Sequence, residues 1–318
     1  MVYIYRILAI KKYSVREKRF VHHFQCTIWP DHGILEEPAS FIEFRNKVQF
    51  SPSSKPPFVV HCSAGDGRTG TYIALDILLE QLWKKPTIDI FSCVNQLCQQ
   101  RAFMVQNKIQ YQFIHDVLAE EILTGFSEIF VTSIPEEFKK LKTSKANGEK
   151  AMLKKQYEEF IFPLNQFHPT ESYQEPIFTN VEINNVSSTK QNALEPVYVV
   201  QFQSKIWQRK QLPFPSDLIE LIQTVTNSCG LRKQLLIHCK DGITKSSIFC
   251  VLCVMICKIR MNETVSILRL LRTMKKKNPQ IVTDYESYKF CWSVAEILQD
   301  ENSTYYSYCH SQEISEIV

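Results

Sequence analysis

The amino-acid sequence predicts an α/β fold, a twisted mixed sheet flanked by helices, present as two incomplete tandem copies. An internal repeat is the first observation behind this prediction, because Phe58-Val-Val-His-Cys62 returns 177 residues later as Leu235-Leu-Ile-His-Cys239. A repeat whose register continues downstream indicates a duplicated structural unit. The second observation is the order within each copy: an apolar segment that predicts a buried strand, a turn of small residues, and a long apolar helix.

The repeat divides the chain into four predicted segments. They are a first domain at 1–124, a helical linker with a remnant of the second domain's start at 125–195, a second domain at 196–300, and a C-terminal tail at 301–318. Apolar periodicity predicts two further helices in each copy, at 88–100 and 107–123 and at 262–276 and 283–298. The opening segment of the chain alternates as a strand does.

Composition and charge narrow the class of function. The chain of 318 residues is 44% hydrophobic and 22% charged, which is typical of a folded globular protein. Its formal net charge of +4 is small and spread out, so it does not indicate nucleic-acid binding. The longest apolar run, 248–256, is far shorter than the ~18 residues that span a bilayer, so no membrane span is expected within the chain. An odd number of cysteines, 11, without a signal peptide favours a reducing compartment such as the cytoplasm.

The segment Cys62–Gly70 has the composition of an anion-binding loop. It lies between an apolar segment and a helix, where backbone N–H groups converge above the helix N-terminus. Its glycines permit tight curvature, and Arg68 supplies a planar fork that suits two phosphate oxygens. The expected phosphate-binding residues are Ser63, Ala64, Gly65, Asp66, Gly67 and Arg68.

Cys62 opens this loop and is the expected nucleophile. In such a positive field a thiol pKa falls from ~8.5 into the range of about 3.5–7.5. A thiolate that faces a bound phosphate is a nucleophile already in place. Thr69 is expected to hydrogen-bond the sulfur when it leaves the phosphorus. The plainer alternative, a buried structural cysteine, is disfavoured by Arg68 and the surrounding glycines.

Asp31 and Gln106 supply the remaining chemistry. The leaving oxygen of a phosphate ester needs a proton from a general acid. Asp31 is the candidate, in a loop Trp29-Pro-Asp-His-Gly33 whose proline and glycine suit the two ends of a closing lid. Gln106 is expected to orient the water of the second step, although both residues also fit plainer roles in a turn and at a helix start. Because amides and an arginine carry the charge, neither a metal nor an organic cofactor is expected.

The second copy keeps a cysteine but loses the groups around it. In Cys239-Lys-Asp-Gly-Ile-Thr-Lys245 a lysine stands in place of Arg68, and an ammonium cannot make a bidentate phosphate contact. The segment Trp207-Gln-Arg209 has no carboxylate, and Thr283 stands where the first copy has Gln106. We therefore expect no catalysis at Cys239, which leaves phosphate binding and a structural or regulatory role open.

Several of these motifs resemble those of a known protein family. Trp29-Pro-Asp-His-Gly33, Val60–Thr71 and Met104-Val-Gln followed by Gln110-Tyr111 resemble the class I protein tyrosine phosphatases, and the tandem arrangement resembles their receptor-type members. The resemblance implies hydrolysis of phosphotyrosine in proteins through a cysteinyl-phosphate intermediate at Cys62, with an inactive second domain. The expected location is the cytoplasm, and the resemblance leaves open whether the chain is the intracellular part of a membrane receptor. The alternative is a catalytically dead phosphotyrosine-binding or scaffold protein, and a third possibility is a truncated product without stable function.

The chain departs from the family pattern in two places. Asp66 replaces an apolar residue, and a carboxylate lining the pocket would repel a phosphate dianion and raise the pKa of Cys62. In addition, the family's phosphotyrosine-recognition loop is found neither before Tyr3 nor between Phe160 and Tyr198. We expect reduced activity from the first departure and exposed sheet edges from the second.

Overall fold

The computed structural model describes most of the chain. The described residues are 3–11, 18–51, 58–85, 87–125, 127–143, 145–146, 150–166, 202, 204, 206–207, 211–229, 235–241, 243–261 and 264–315, with only the backbone described for 145–146, 150, 166, 229 and 301–315. The C-terminal part of the predicted linker, 167–195, lies outside the described residues, as do Gln208 and Arg209. The chain divides into two compact units, Met1–Phe126 and Ser127–Val318. The predicted division into four segments stays a prediction.

The described residues of the first unit form one antiparallel strand pair and four helices. The elements are β1 (Tyr3–Lys11), β2 (Lys18–Cys26), α1 (Pro38–Gln49), α2 (Gly67–Lys84), α3 (Ile90–Gln100) and α4 (Lys108–Thr124). Local chemistry sets the helix ends. Asp89 and Asn107 cap α3 and α4 by accepting from the backbone amides of Ser92 and Gln110, and Gly125 ends α4 in the left-handed conformation.

The core of the first unit anchors the loop that carries Asp31. Trp29 is 8% exposed and packs against Phe41 and Phe113, with ring centroids 5.9 and 6.0 Å apart. Leu75 of α2 is fully buried in the same cluster. Burial of side chains of this size stabilises a fold by about 1.5–3 kcal/mol each. The base of the Trp29 loop is thereby fixed, while its tip stays at the surface.

Within the residues that the structure describes, the second unit is mostly helical. Its helices are α5 (Ile134–Thr143), α6 (Met152–Gln156), α7 (Pro215–Cys229), α8 (Thr244–Met261), α9 (Ile267–Lys277) and α10 (Tyr285–Ser315). Short 3-10 and π turns occur at Val131–Ser133, Tyr157–Ile161 and Phe162–Gln166. Two-residue strands pair β3 (Ile129–Phe130) with β6 (Thr264–Val265) and β4 (Lys145–Ala146) with β5 (Lys150–Ala151). Its core gathers around α8 and α10, where Leu252, Met255, Val294 and Leu298 are buried.

The α/β class is confirmed, in a helix-rich form with small antiparallel sheets. The helices expected at 88–100 and 107–123 correspond to α3 and α4 within two residues at each end. In the second copy α9 begins at Ile267, later than expected, and α10 continues well past residue 298.

The buried strand expected before each small-residue turn is wrong. Phe58 is 52% exposed, Val59 is 79% exposed and Leu236 is 62% exposed. The segment 58–61 pairs with no strand that the structure describes, because β1 and β2 hydrogen-bond to each other alone. An apolar run becomes a buried strand only when neighbouring strands cover it.

Helices long and apolar enough to cross a lipid bilayer were not found in the described portion of the chain.

Candidate active site

The loop from Cys62 to Arg68 curls over the N-terminus of α2, which begins at Gly67. Gly65 takes a φ of 79°, a conformation that side chains disfavour, and its amide donates to the Cys62 sulfur at 3.3 Å. A Cβ on Gly67 would lie 2.9 Å from the side-chain nitrogen of Gln110, so the backbone approaches its neighbour as only glycine allows. The result is a tight turn whose amides surround one sulfur atom.

The thiol of Cys62 is activated within this turn. Partial burial opposes ionisation, but hydrogen bonds from the Thr69 hydroxyl and from the amides of Thr69, Gly65 and Asp66 outweigh it and lower the pKa of Cys62 to about 7. The buried Thr69 hydroxyl has no nitrogen or oxygen partner among the described residues, which leaves it available to the sulfur. The value lies inside the range expected from the sequence. A pKa of about 7 allows the reactive thiolate to form at neutral pH.

Arg68 ties the loop to the Trp29–Gly33 segment. One guanidinium nitrogen donates to the carbonyl oxygen of Trp29 at 3.0 Å, and another forms an ion pair with the Asp31 carboxylate. The side chain of Asp31 is 70% exposed, so the carboxylate lies at the surface, above the guanidinium. The structure therefore brings the expected general acid and the expected phosphate-binding arginine into direct contact.

Gln106 lies in the turn before α4 and contacts the Trp29–Gly33 segment. Its side-chain oxygen lies 3.2 Å from Nδ1 of His32, and Asn107 donates its side-chain amide to the His32 carbonyl at 3.1 Å. The Gln106 backbone amide donates to Oε1 of the fully buried Gln110 at 2.9 Å. Gln106 also lies against the loop, since its side-chain oxygen would be 3.1 Å from a Cβ on Gly67. Gln106 is thus placed between the loop and the Asp31 segment.

Asp66 does not act as expected from the sequence. Its carboxylate accepts from the amide of Gly67 at 2.7 Å and caps α2. The backbone amide of Asp66 helps to lower the pKa of Cys62, and its carboxylate is not among the causes of that shift. The expected rise in the pKa of Cys62 does not occur. One amide at the helix start is, however, already bound to a carboxylate.

Sequence reasoning assigned no role to several residues that shape the site. Arg101 donates to the Ala64 carbonyl at 3.1 Å and so braces the loop from outside, but no sequence pattern points to it. Gln110 was visible as part of the Gln110-Tyr111 motif, although its role as an acceptor for Gln106 was not. His32 and Asn107 connect the two segments through a contact that spans 75 positions, which no local pattern encodes.

The second copy preserves the hydrogen bond from the cation of the loop to a tryptophan carbonyl, but the cation is a lysine. The Lys245 ammonium donates to the Trp207 carbonyl at 3.0 Å, as Arg68 does to Trp29. Lys245 has a single nitrogen, so it offers no second arm for an anion.

A carboxylate fills the second loop. Asp241, which corresponds to Ala64 in the repeat, accepts from the Cys239 thiol at 2.9 Å and from the backbone amides of Ile243 and Thr244 at 3.0 and 3.1 Å. The Thr244 hydroxyl also donates to it, at 2.5 Å. These bonds, led by the one from Cys239, lower the pKa of Asp241. Two amides at the start of α8, those of Ile243 and Thr244, are therefore already bound to a carboxylate.

The first unit is an α/β unit with a cysteine-centred loop above a helix N-terminus, and the comparisons with known proteins specify its family. The chain matches the profile of the protein-tyrosine phosphatase family over residues 2–120 and again over 131–296. It therefore belongs to the protein-tyrosine phosphatase family. The two successive matches confirm the tandem resemblance that the motifs indicated.

The similar curated proteins are receptor-type members of this family. The chain is 40% identical to receptor-type tyrosine-protein phosphatase S of Gallus gallus over 162 residues, which are 45% of this chain and 11% of that protein. It is 41% identical to a Lar-like tyrosine-protein phosphatase of Caenorhabditis elegans over 128 residues, 40% of this chain and 6% of that protein. It is 39% identical to receptor-type tyrosine-protein phosphatase F of Mus musculus over 140 residues, 44% of this chain and 7% of that protein. The matched part of the chain spans at most about a tenth of the length of these relatives.

The lowered pKa of Cys62 predicts a pH profile for its alkylation. Because the thiolate is the reactive form, iodoacetamide modification of Cys62 followed by mass spectrometry should rise with pH and reach half its maximal rate near pH 7. Thr69→Ala removes a hydrogen bond to the thiolate, so the midpoint should move to higher pH. Cys93, whose pKa burial raises, serves as the internal control and should react little at neutral pH. A midpoint above pH 8.5 that Thr69→Ala leaves in place would contradict the assignment.

Proposed function

We propose that the first unit is a protein tyrosine phosphatase that hydrolyses phosphotyrosine in proteins through a cysteinyl-phosphate intermediate at Cys62. The observation that carries this proposal is the loop itself: a thiol with a pKa of about 7 shares one tight turn with Arg68, and Arg68 contacts Asp31. Membership of the phosphatase family supports it. A nucleophile, an anion fork and a proton donor are thus within one site.

The first step transfers the phosphoryl group to sulfur. The phosphate dianion binds the loop amides and the Arg68 guanidinium, which exchanges its bond to Asp31 for bonds to phosphate oxygens. The thiolate of Cys62 attacks phosphorus, the bond between phosphorus and the tyrosine oxygen breaks, and Asp31, once protonated, gives its proton to that oxygen. Tyrosine leaves and the enzyme holds a cysteinyl phosphate.

The second step returns the enzyme to its starting state. Gln106 orients a water molecule, Asp31 accepts one of its protons, and the water oxygen bonds to phosphorus as the bond to sulfur breaks. The Thr69 hydroxyl stabilises the thiolate that departs. The sum of the two steps is a phosphotyrosine and water converted to tyrosine and inorganic phosphate, with no metal or organic cofactor in either step.

Replacement of the nucleophile tests this function and separates it from the alternative. With p-nitrophenyl phosphate as substrate, Cys62→Ser should lower turnover at least about a thousandfold, because a serine hydroxyl is not ionised at neutral pH. The matched control is Cys239→Ser, which should leave turnover unchanged. An inactive wild type, together with phosphotyrosine-peptide binding by Cys62→Ser, would instead establish a catalytically dead phosphotyrosine-binding or scaffold protein.

Removal of the acid has a double signature, because Asp31 both donates a proton and occupies Arg68. Asp31→Asn should lower kcat by about 10²–10⁴-fold, and more for phenyl phosphate than for p-nitrophenyl phosphate, whose leaving group needs less protonation. The same change frees the guanidinium from its carboxylate partner, so inorganic vanadate should inhibit the variant more tightly than the wild type. Equal losses on both substrates with unchanged vanadate inhibition would remove Asp31 from the mechanism.

We also propose that Asp66 weakens this site by competition for an amide. Its carboxylate accepts a hydrogen bond from the Gly67 N–H, so a phosphate oxygen must displace that carboxylate to bind the same N–H. Asp66→Val should therefore tighten inhibition by inorganic phosphate by about three- to tenfold, the worth of one hydrogen bond. Asp66→Asn, which keeps an acceptor at the same place, is the control and should change inhibition less. If Asp66→Val leaves phosphate inhibition unchanged, the carboxylate does not compete.

The second copy is proposed to be non-catalytic. Its loop is occupied by the Asp241 carboxylate, and its cation, Lys245, is held by the Trp207 carbonyl. A phosphate would have to displace an internal anion without the help of a bidentate fork. A structural or regulatory role fits such a loop better than turnover.

A cytoplasmic location is proposed on chemical grounds. A thiolate nucleophile works only where cysteines stay reduced, and each cysteine whose side chain is described is free. The part of a receptor that acts on intracellular phosphotyrosine proteins would meet this requirement.

A further inference from the structure

The same strained turn precedes the last helix of each copy. Val105 has a φ of 63° before α4, and Val282, its counterpart in the repeat, has a φ of 50° before α10. A β-branched residue is a conformational outlier in this left-handed region. Such strain persists only where the surrounding structure enforces it. Each copy must therefore contain groups that hold this turn.

In the first copy the turn is held by a thiol. Cys98, in the last turn of α3, donates to the Met104 carbonyl at 3.0 Å. Met104 is 5% exposed and directly precedes Val105. The bond therefore fixes the carbonyl on the N-terminal side of the strained residue.

In the second copy an ammonium group binds the corresponding turn. Lys275 stands at the position of Cys98 in the repeat, at the end of α9, and is fully buried. It donates to the carbonyls of Pro279, Ile281 and Val282 at 2.8, 2.5 and 3.3 Å. Ile281 is the counterpart of Met104. A thiol and an ammonium, which share only the ability to donate a hydrogen bond, thus bind the equivalent carbonyl of the equivalent turn in the two copies.

The turn in the first copy sets the position of Gln106. A Cβ on Gly70 would lie 2.5 Å from the Val105 nitrogen, so the turn packs directly on the start of α2. Gln106 follows immediately, and its backbone amide donates to Gln110. If the turn relaxes, the Gln106 side chain moves away from the loop and from His32. Cys98 makes no described contact with Cys62, Arg68 or Asp31.

We propose that Cys98 is a positioning residue for Gln106: its thiol holds the Val105 turn and so serves the hydrolysis of the cysteinyl phosphate rather than its formation. This rests on the proposed function, in which Gln106 orients the attacking water. The second copy has no glutamine to position, since Thr283 occupies that place, and its stronger lysine clamp serves the fold alone.

The kinetic test compares Cys98→Ala with Cys98→Ser in the full chain. The matched control is Cys93→Ala, which removes a buried thiol from the same helix. With p-nitrophenyl phosphate, Cys98→Ala should lower kcat about three- to tenfold, the effect of one hydrogen bond, while kcat/KM, which reports phosphoenzyme formation, stays within twofold. The pre-steady-state burst of p-nitrophenol should grow, because the second step becomes slower. Cys98→Ser keeps a donor and should retain wild-type kinetics.

A second readout needs no turnover and so separates this proposal from the proposed function. Amide hydrogen exchange at Val105 and Gln106 should be faster in Cys98→Ala than in the wild type, and unchanged in Cys98→Ser and Cys93→Ala. Equal falls in kcat and kcat/KM, or exchange unchanged in Cys98→Ala, would overturn the positioning role. Loss of activity restricted to Cys62→Ser, with no effect of Cys98→Ala on burst or exchange, would keep the phosphatase and reject Cys98.

Discussion

The convergence of hydrogen-bond donors on the Cys62 sulfur is the interaction on which the rest of the first unit depends. Burial alone would suppress the thiolate, and only the combined donors of Thr69, Gly65 and Asp66 reverse that effect. Donors can converge on one atom only if the backbone turns tightly against its neighbours. The close approaches of Gly67 to Gln110 and of Gly70 to Val105 are the geometric consequence. Packing around the loop thus follows from an electrostatic requirement.

The two copies separate contacts that build the framework from contacts that perform chemistry. The bond from Arg68 or Lys245 to a tryptophan carbonyl occurs in both, as does a donor from Cys98 or Lys275 to the turn before the last helix. The second copy has no carboxylate at the position of Asp31, so a contact that both copies keep belongs to the framework. The Asp31 ion pair occurs in the first copy, and the second copy has a carboxylate inside its loop instead. Because the cysteine is common to both copies, the proposed difference in activity must come from the groups around it that differ.

Local signals in the sequence predicted the parts of the fold that local physics determines. The glycines of the loop and the helices that follow it needed only their neighbours in sequence. The structure shows the same local control at Asp89 and Asn107, which cap those helices through amides of their own first turns. The apolar run before Cys62 failed as a strand because burial depends on partners that lie elsewhere, and Val59 remains 79% exposed. The role of Cys98 was hidden for the same reason. A cysteine at the end of a helix gains its meaning from a carbonyl in the next turn, which no periodicity indicates.

In the mechanism that we propose, the two arms of Arg68 link substrate binding to acid delivery. In the described structure one arm of the guanidinium donates to the backbone of the Trp29 loop and the other to Asp31, so two of its five N–H groups bind the loop that carries the expected acid. A phosphate oxygen is a stronger partner than an exposed carboxylate and can replace Asp31 without breaking the bond to Trp29. The loop then stays in place while the carboxyl is released beside the leaving oxygen. In this proposal one side chain binds the substrate and, in the same exchange, releases a carboxylate that serves as the acid once it has gained a proton.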